Sequence, residues 1–411
     1  MIEAYQKYRP SIYILLIAIV LCSYMVSFAI NSIGVGVLCA FFFLDSITNI
    51  KAKLQKAKQS RIITLYFLFF ILQIVGMLYT DNREFGMKRI ITQLPILILP
   101  LILLSEELCL KKMNVLLDGF RYWILTVFLF YIAQHVFMDE NSLETFVLFI
   151  ITDRLGISQF YVVFILLIPI ITTVNAIRNK KNITLNIILL AFFVFFLFLL
   201  GNKTSVFILF ILSVLFAFQR NTLFNSIWKK VTIIVVGIIL VISAYNMPGI
   251  QKRVDVLVKT TDFNIETIIT KNSVTHTKNT LEHRLLINYI TINEVVDNFP
   301  FGVGTGDYQD VLNNNYDAIN FKQGICHEFN NHNQYLSEFL KTGILSGTVF
   351  LLLMFSLIRQ SNFNNQYYIY IVLSFAVACL FESYLDRQHG VVIFAFIIPL
   401  FLKYEIENKS V

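Results

Sequence analysis

The chain has 411 residues, 57% of them hydrophobic and 14% charged, with a mean hydropathy of +0.69 and a formal net charge of +7. A soluble domain is about half apolar and about a quarter charged, so this composition excludes an ordinary soluble protein and reads as an all-α, polytopic membrane protein. The positive charge reads as basic loops on one side of a bilayer, and no compact basic face with interleaved aromatics marks nucleic acid as a partner.

Lys7 and Arg9 precede the first apolar run, and no small-x-small cleavage site follows, which reads as a retained first span. Apolar runs of bilayer length predict about twelve transmembrane helices. They fall near residues 11–30, 31–49, 62–79, 90–104, 120–138, 157–177, 183–200, 204–218, 231–247, 343–358, 367–383 and 389–403. The second is interrupted by Gly34 and Gly36, and the fourth is short and follows an amphipathic stretch from Phe85 to Leu94; both are candidates for partly interfacial placement. The loop after the second span carries Lys51, Lys53, Lys56, Lys58 and Arg61; later loops carry Arg178, Lys180 and Lys181, then Arg220, Lys229 and Lys230. With twelve spans these loops share a side, which the positive-inside rule makes cytoplasmic together with both termini. The chain then divides into residues 1–247 with nine spans, a large external segment at 248–342, and residues 343–411 with three spans and a cytoplasmic tail.

Within the external segment, Asn279-Thr280-Leu281-Glu282 is a capping-box pattern. It opens a helical run with Leu281, Leu285, Tyr289, Ile292 and Val296 on one face. Pro300 and Gly302-Val303-Gly304-Thr305-Gly306-Asp307 end that run as a turn. A nucleotide loop is disfavoured, because the glycines follow a helix rather than a strand. Residues 249–280 carry few periodic signals.

The segment closes on Asn330-Asn331-His332-Asn333-Gln334, directly before an apolar span. Asn331 is placed to cap a helix, with Gln334 three residues on, which puts His332 in the first turn at the positive end of the helix dipole. There it has two readings: a base beside an anion-attracting helix end, or a polar cap on a membrane helix. His327 is its rival. Four cations fall on the external side against the charge bias: Arg154, Lys203, Arg284 and Arg387. Each alone reads as a snorkelling residue; converging on His332 they would bind an anionic lipid head group. Glu328, Glu338, Glu382 and Asp386 are the candidate carboxylates, with Glu382 placed to pair with Arg387 or to orient a ligand. Of the five cysteines only Cys326 lies in the external segment, and no Cys/His spacing reads as a metal site.

This pattern resembles the O-antigen ligase and polymerase superfamily. His332-Asn333 is followed by nine residues and Gly343-Ile344-Leu345-Ser346-Gly347, similar to the ligase branch's His-Asn and Gly-x-x-Gly, with Ser346 at the second glycine position. Arg284 followed by Pro300, Gly302, Gly304 and Gly306 resembles the family's Arg-helix-Pro-x-Gly-x-Gly-x-Gly run. Asn202-Lys203-Thr204 resembles its Ser-Arg hairpin with Lys for Arg, Arg154-Leu155-Gly156 its Arg-x-x-Gly, and Glu382 to Arg387 its last external loop. The resemblance covers most of the chain by layout, and by motif the part from Arg154 onward.

The resemblance implies a GT-C-like enzyme of the bacterial cytoplasmic (inner) membrane with a large periplasmic loop. It would move a glycan from polyprenyl diphosphate to an acceptor hydroxyl, such as lipid A core, by an inverting transfer that uses no cofactor or metal. In that reading His332 is the base, Arg284 and Lys203 hold the diphosphate with Arg154 and Arg387 as further candidates, and Asn333, His327 and Glu382 support the site. Its partners are the lipid-linked glycan, the acceptor and membrane lipid. Within the superfamily the alternatives are a repeat-unit polymerase and a protein O-oligosaccharyltransferase. The rival of another class is a polysaccharide transporter or flippase, which calls for charges deep in spans and paired broken helices.

Overall fold

The computed structural model describes residues 2–46, 53, 55, 60–137, 143–150, 154, 156, 159–199, 207–208, 259–271, 278–361 and 366–409. Among these residues the chain is helical throughout, with no strand. The membrane helices are α1 (Ile2–Ser23), α2 (Phe28–Ser46), α3 (Arg61–Gly76), α4 (Arg83–Ser105) and α5 (Leu110–Phe137). A short α6 (Leu143–Leu148) precedes α7 (Gln159–Arg178) and α8 (Ile183–Leu199). The expected spans at 204–218, apart from residues 207–208, and at 231–247 lie outside the described residues.

Five described helices are long and apolar enough to cross a bilayer: α4, α5, α7, a helix at Gln334–Gln360 and a helix at Gln388–Lys409. Five shorter apolar helices accompany them. This is a polytopic helical membrane protein. The amphipathic stretch from Phe85 to Leu94 forms the first half of α4, capped by the Asn82 side chain. The span expected at 367–383 ends as a helix at Ala378, so Glu382 sits in the turn beyond it.

Side-chain hydrogen bonds align the helix ends into two faces. At one face Tyr24 donates to the His389 carbonyl at 3.0 Å, Tyr131 to the Met25 carbonyl at 2.7 Å, and Tyr384 to the Phe160 carbonyl at 3.2 Å. At the other, Arg9 and Lys53 both pair with Glu106, and Tyr404 donates to Asn114 at 2.5 Å. The basic residues Lys53, Arg61, Arg178 and Lys181 lie at this second face, at the helix ends remote from His332.

Over the first face sits a helical unit made of α9 (Ile265–Thr270), α10 (Thr280–Asp297), α11 (Tyr308–Ala318) and α12 (Lys322–Cys326). The capping box opening α10 is formed in both directions: Asn279 accepts from Leu281 and Glu282 backbone N–H groups, and Glu282 accepts from the Asn279 N–H. The unit has its own core of Ile268, Leu286, Ile287, Ile290, Tyr308, Leu312, Tyr316, Phe321 and Leu340.

Leu340 belongs to α13 (Gln334–Gln360), which consists of two helical segments meeting at a kink. It breaks at Thr342 (φ −130, ψ 24) and Gly343 (φ 66, ψ −154). Before the break it packs in the upper core; after it, Phe350, Leu353 and Leu357 pack in the membrane core with α14 (Gln366–Ala378) and α15 (Gln388–Lys409).

The glycine run fills this break. The N–H groups of Val303 and Gly304 donate to the carbonyls of Leu340 and Lys341 at 2.9 and 2.8 Å, and the Ile344 N–H donates to the Pro300 carbonyl at 2.9 Å. The helix carbonyls and N–H orphaned by the break thus find partners in residues 300–304. The far end of the run is pinned to α3 and the turn after it, where Thr305 Oγ1 donates to the Gln73 carbonyl at 2.7 Å and Asp307 accepts from the Asp81 and Asn82 N–H groups. A Cβ on Gly343 would stand 1.9 Å from the Pro300 carbonyl oxygen, in a backbone region that is essentially glycine-only.

Gly343→Ala is therefore expected to abolish the folded state or to lower the melting temperature in detergent by many degrees. Gly119→Ala, where a Cβ meets nothing within 4 Å inside α5, is expected to be neutral or to stabilise by up to about 1 kcal/mol. Equal melting of the two variants contradicts the assigned role of the break.

Candidate active site

His332 stands before the helix, not in its first turn. The cap of α13 is Asn333, whose side chain accepts from the Leu336 N–H at 3.2 Å, and Gln334 is the first helical residue. Asn331 therefore does not cap, and Gln334 does not close a capping box with it. His332 adopts φ +47, a left-handed conformation uncommon outside glycine and Asn. What holds it there is local: the His332 N–H donates to the Asn330 side-chain oxygen at 3.1 Å.

Three consecutive residues then pair with the turn between α14 and α15. Asn330 donates to Asp386 Oδ2 at 3.2 Å, Ser383 Oγ donates to Asn331 Oδ1 at 2.6 Å, and His332 Nδ1 lies 3.1 Å from Glu382 Oε2. The two segments thus run antiparallel, joined by side chains. The Gln334 backbone adds a bond to the Cys379 carbonyl at 2.8 Å, and its side-chain oxygen accepts from the Leu385 N–H at 2.7 Å. Asn331 is fully buried, and its Nδ2 has no partner among the described residues.

Arg284, one turn into α10, reaches the same turn, donating to the Phe381 carbonyl at 2.7 Å beside Glu382. Burial lowers the affinity of this guanidinium for its proton, while Glu382 and Tyr384 oppose the effect; an arginine stays charged all the same. No carboxylate forms an ion pair with it among the described residues, so it is a partly desolvated cation with donors to spare. Phe329 packs on His332 at 5.8 Å, on His327 at 5.5 Å and on His283 at 5.8 Å. Burial, helped by nearby Lys278, holds the His283 imidazole below its ordinary value.

Beneath this lies a buried ionic cluster. Lys341 Nζ is 2.5 Å from Asp386 Oδ1 and 3.9 Å from Glu338 Oε1. Arg89 of α4 donates to the Asp386 carbonyl, and both cations lie over the Tyr308 ring. Glu338 accepts from Gln73 at 2.8 Å, Gln334 at 2.5 Å and Ser346 at 3.3 Å. Burial alone would raise the Asp386 carboxyl, but Lys341 and Arg89 outweigh it and hold it below its ordinary range. Asp386 is thus held by two cations, which is the condition for burying its charge at tolerable cost. Ser346, standing where a glycine was expected, is thus a polar member of this cluster, and Gly347 faces the Phe339 ring.

The structure brings together His332, Glu382, Arg284 and Asn333. His327 is exposed and touches the group only through Phe329. Arg387 is exposed at the end of the turn and, among the described residues, does not pair with Glu382, one of the two roles open for that carboxylate; Glu382 contacts His332. Arg154 lies over the Phe149 ring at 4.9 Å and makes no contact with the His332 group among the described residues. Lys203 lies outside the described residues. Sequence reasoning missed Arg89, Lys341 and Gln73. The available signals were a lysine two residues before Gly343 and an arginine inside the Phe85–Leu94 stretch.

Comparison with known proteins gives one family. Residues 187–352, which include Arg284, the glycine run, His332 and the break in α13, match the family model described as O-antigen ligase. No curated protein matches the chain.

Breaking the buried pair by Asp386→Asn or Lys341→Met is expected to cost about 3–5 kcal/mol each, read as a fall in melting temperature in detergent. The double variant should lose clearly less than the sum, because neither charge is then left unpaired. Additive losses would show that the two side chains do not depend on each other.

Proposed function

We propose, from the match of residues 187–352 to the O-antigen ligase family model, that the chain is a member of the O-antigen ligase and polymerase superfamily and a glycosyltransferase moving a glycan from polyprenyl diphosphate to an acceptor hydroxyl. The proposed site is the periplasmic face of the bacterial cytoplasmic membrane, with residues 248–342 as the periplasmic segment above it. The observation that carries this reading is the meeting of His332, Glu382 and Arg284, from three remote segments, at one turn.

The His332–Glu382 contact sets the tautomer. A carboxylate oxygen at Nδ1 requires that nitrogen to carry the proton, which leaves the Nε2 lone pair as the base. Nε2 takes the proton of the acceptor hydroxyl as its oxygen forms a bond to the anomeric carbon. The bond from that carbon to the diphosphate oxygen breaks, and its electron pair leaves on the polyprenyl diphosphate. Attack opposite the leaving group inverts the anomeric centre. Glu382 stabilises the imidazolium that forms, as a carboxylate does behind a catalytic histidine.

Diphosphate is a good leaving group, so the protein's main tasks are charge neutralisation and positioning. Arg284 is the cation best supported for the first task, because it is partly desolvated and not neutralised by a salt bridge. Lys203, Arg154 and Arg387 are further candidates for the same role. In this reading side chains, not a metal, neutralise the diphosphate. The spacing from His332-Asn333 to Gly343 favours the ligase branch, with lipid A core as acceptor; a second lipid-linked glycan in the same acceptor position would make the protein a polymerase.

The test is transfer by purified protein in detergent from a polyprenyl-diphosphate glycan, offered lipid A core or a second lipid-linked glycan. His332→Ala is expected to lower the rate by roughly 10²–10⁴-fold. Arg284→Ala should reduce it more than Arg284→Lys, since lysine keeps the charge but not the bidentate fork. Undiminished transfer by His332→Ala in folded protein overturns the base assignment. Undiminished transfer by both Arg284 variants overturns the diphosphate role. The acceptor consumed decides between ligase and polymerase.

A further inference from the structure

The apolar face of α10 points away from the protein. Its spacing suggests a packed stripe, yet the helix buries the opposite side, with Leu286, Ile287 and Ile290 at 0, 0 and 6% exposure. On the other side Leu285 is half-buried against the unit's core, while Leu281, Tyr289, Ile292 and Val296 are 38, 44, 48 and 67% exposed. The stripe continues past the helix end through Phe299 and Phe301, at 64 and 68%. Single exposed apolar residues need no explanation, but a contiguous row along one helix face does.

The surroundings say what covers it. The Pro300 carbonyl accepts from the Ile344 N–H, and the Phe301 carbonyl accepts from Tyr79 Oη at 2.7 Å. Ile344 and Leu345 open the membrane part of α13, and Leu78 follows the end of α3; all three are exposed and apolar. The stripe is therefore continuous with exposed apolar side chains at the ends of two membrane helices. The charges of α10 exclude an electrostatic attachment to anionic lipid, because Glu282, Glu294 and Asp297 outnumber Arg284.

We infer that α10 lies in the lipid interface of the membrane on the His332 face, with Tyr289, Ile292, Val296, Phe299 and Phe301 seated among the acyl chains. The attachment is apolar burial, the mode of an interfacial amphipathic helix. It stands independently of the transfer chemistry proposed above. Its consequence for that chemistry is that Arg284, on the same helix, is carried at the depth of lipid phosphates, where a lipid-borne diphosphate lies.

The test uses nitroxide labels on Ile292→Cys and Val296→Cys, with Asn293→Cys and Asp297→Cys as exposed polar controls. The background carries Cys326→Ser, and its own signal is subtracted. In phosphatidylethanolamine/phosphatidylglycerol nanodiscs, residues 292 and 296 should collide several-fold more with oxygen than with a water-soluble nickel chelate, and residues 293 and 297 the reverse. The preference should survive high salt. A nickel preference at 292 and 296 overturns the inference. So does low collision with both reagents accompanied by spin–spin broadening, which would mean that a second copy of the chain covers the stripe.

Discussion

One residue joins the two halves of this protein. Gly343 lets α13 leave one core and enter the other, and its carbon hydrogen faces a carbonyl oxygen where any side chain would collide. The segment before it carries Leu340 into the upper core, and the segment after it carries Phe350 into the membrane core. A continuous helix would carry Gln334 and Glu338 off the end of the bundle, and the loop holding His332 with them. The break needs partners for the backbone groups it frees, and residues 300–304 supply them. This gives the glycine run a physical purpose: its backbone must approach another backbone closely, and side chains would prevent it.

The site follows from that geometry. Once the first part of α13 is docked, the loop before it lies along the turn after α14, and three side-chain pairs fix the register between them. His332 is thereby oriented through Glu382, while Asn330 links the same loop to Asp386 and, through it, to Lys341 and Arg89. The buried cluster needs no part in chemistry to matter. A paired, hydrogen-bonded charge in a low-dielectric setting is rigid, because each alternative arrangement leaves a charge unpaired. Arg284 arrives from the other side on α10, anchored to a backbone carbonyl rather than to a carboxylate, so its charge remains available to a ligand.

Much of this was legible in the sequence where a local rule acts alone. The capping box at Asn279 and Glu282 fixed the start of α10, and the polar triplet before α13 drew attention to His332. The cap itself was misplaced, because Asn330, Asn331 and Asn333 all have capping chemistry and only tertiary pairing decides which is used. Asn330 and Asn331 turn instead to Asp386 and Ser383. The period of α10 put Leu281, Leu285, Tyr289, Ile292 and Val296 on one side, of which Leu285 packs against the upper core and the other four are exposed; periodicity does not say whether an apolar side meets protein or lipid. Lys341 and Arg89 went unmarked because their shared partner, Asp386, is remote in sequence and meets them only in the folded chain. The partner of Glu382 was open between Arg387 and a ligand, and neither describes the contact with His332.

The account turns on His332 acting through Glu382. The most direct measurement is steady-state transfer by purified Glu382→Gln in detergent, with kcat and KM for the lipid-linked donor determined separately. Glutamine keeps a hydrogen-bond acceptor for Nδ1 but removes the charge that stabilises the imidazolium. The account predicts a fall in kcat of roughly 10²-fold or more with KM for the donor little changed and folding intact. A Glu382→Gln enzyme with wild-type kcat, or one impaired only in KM, would contradict it.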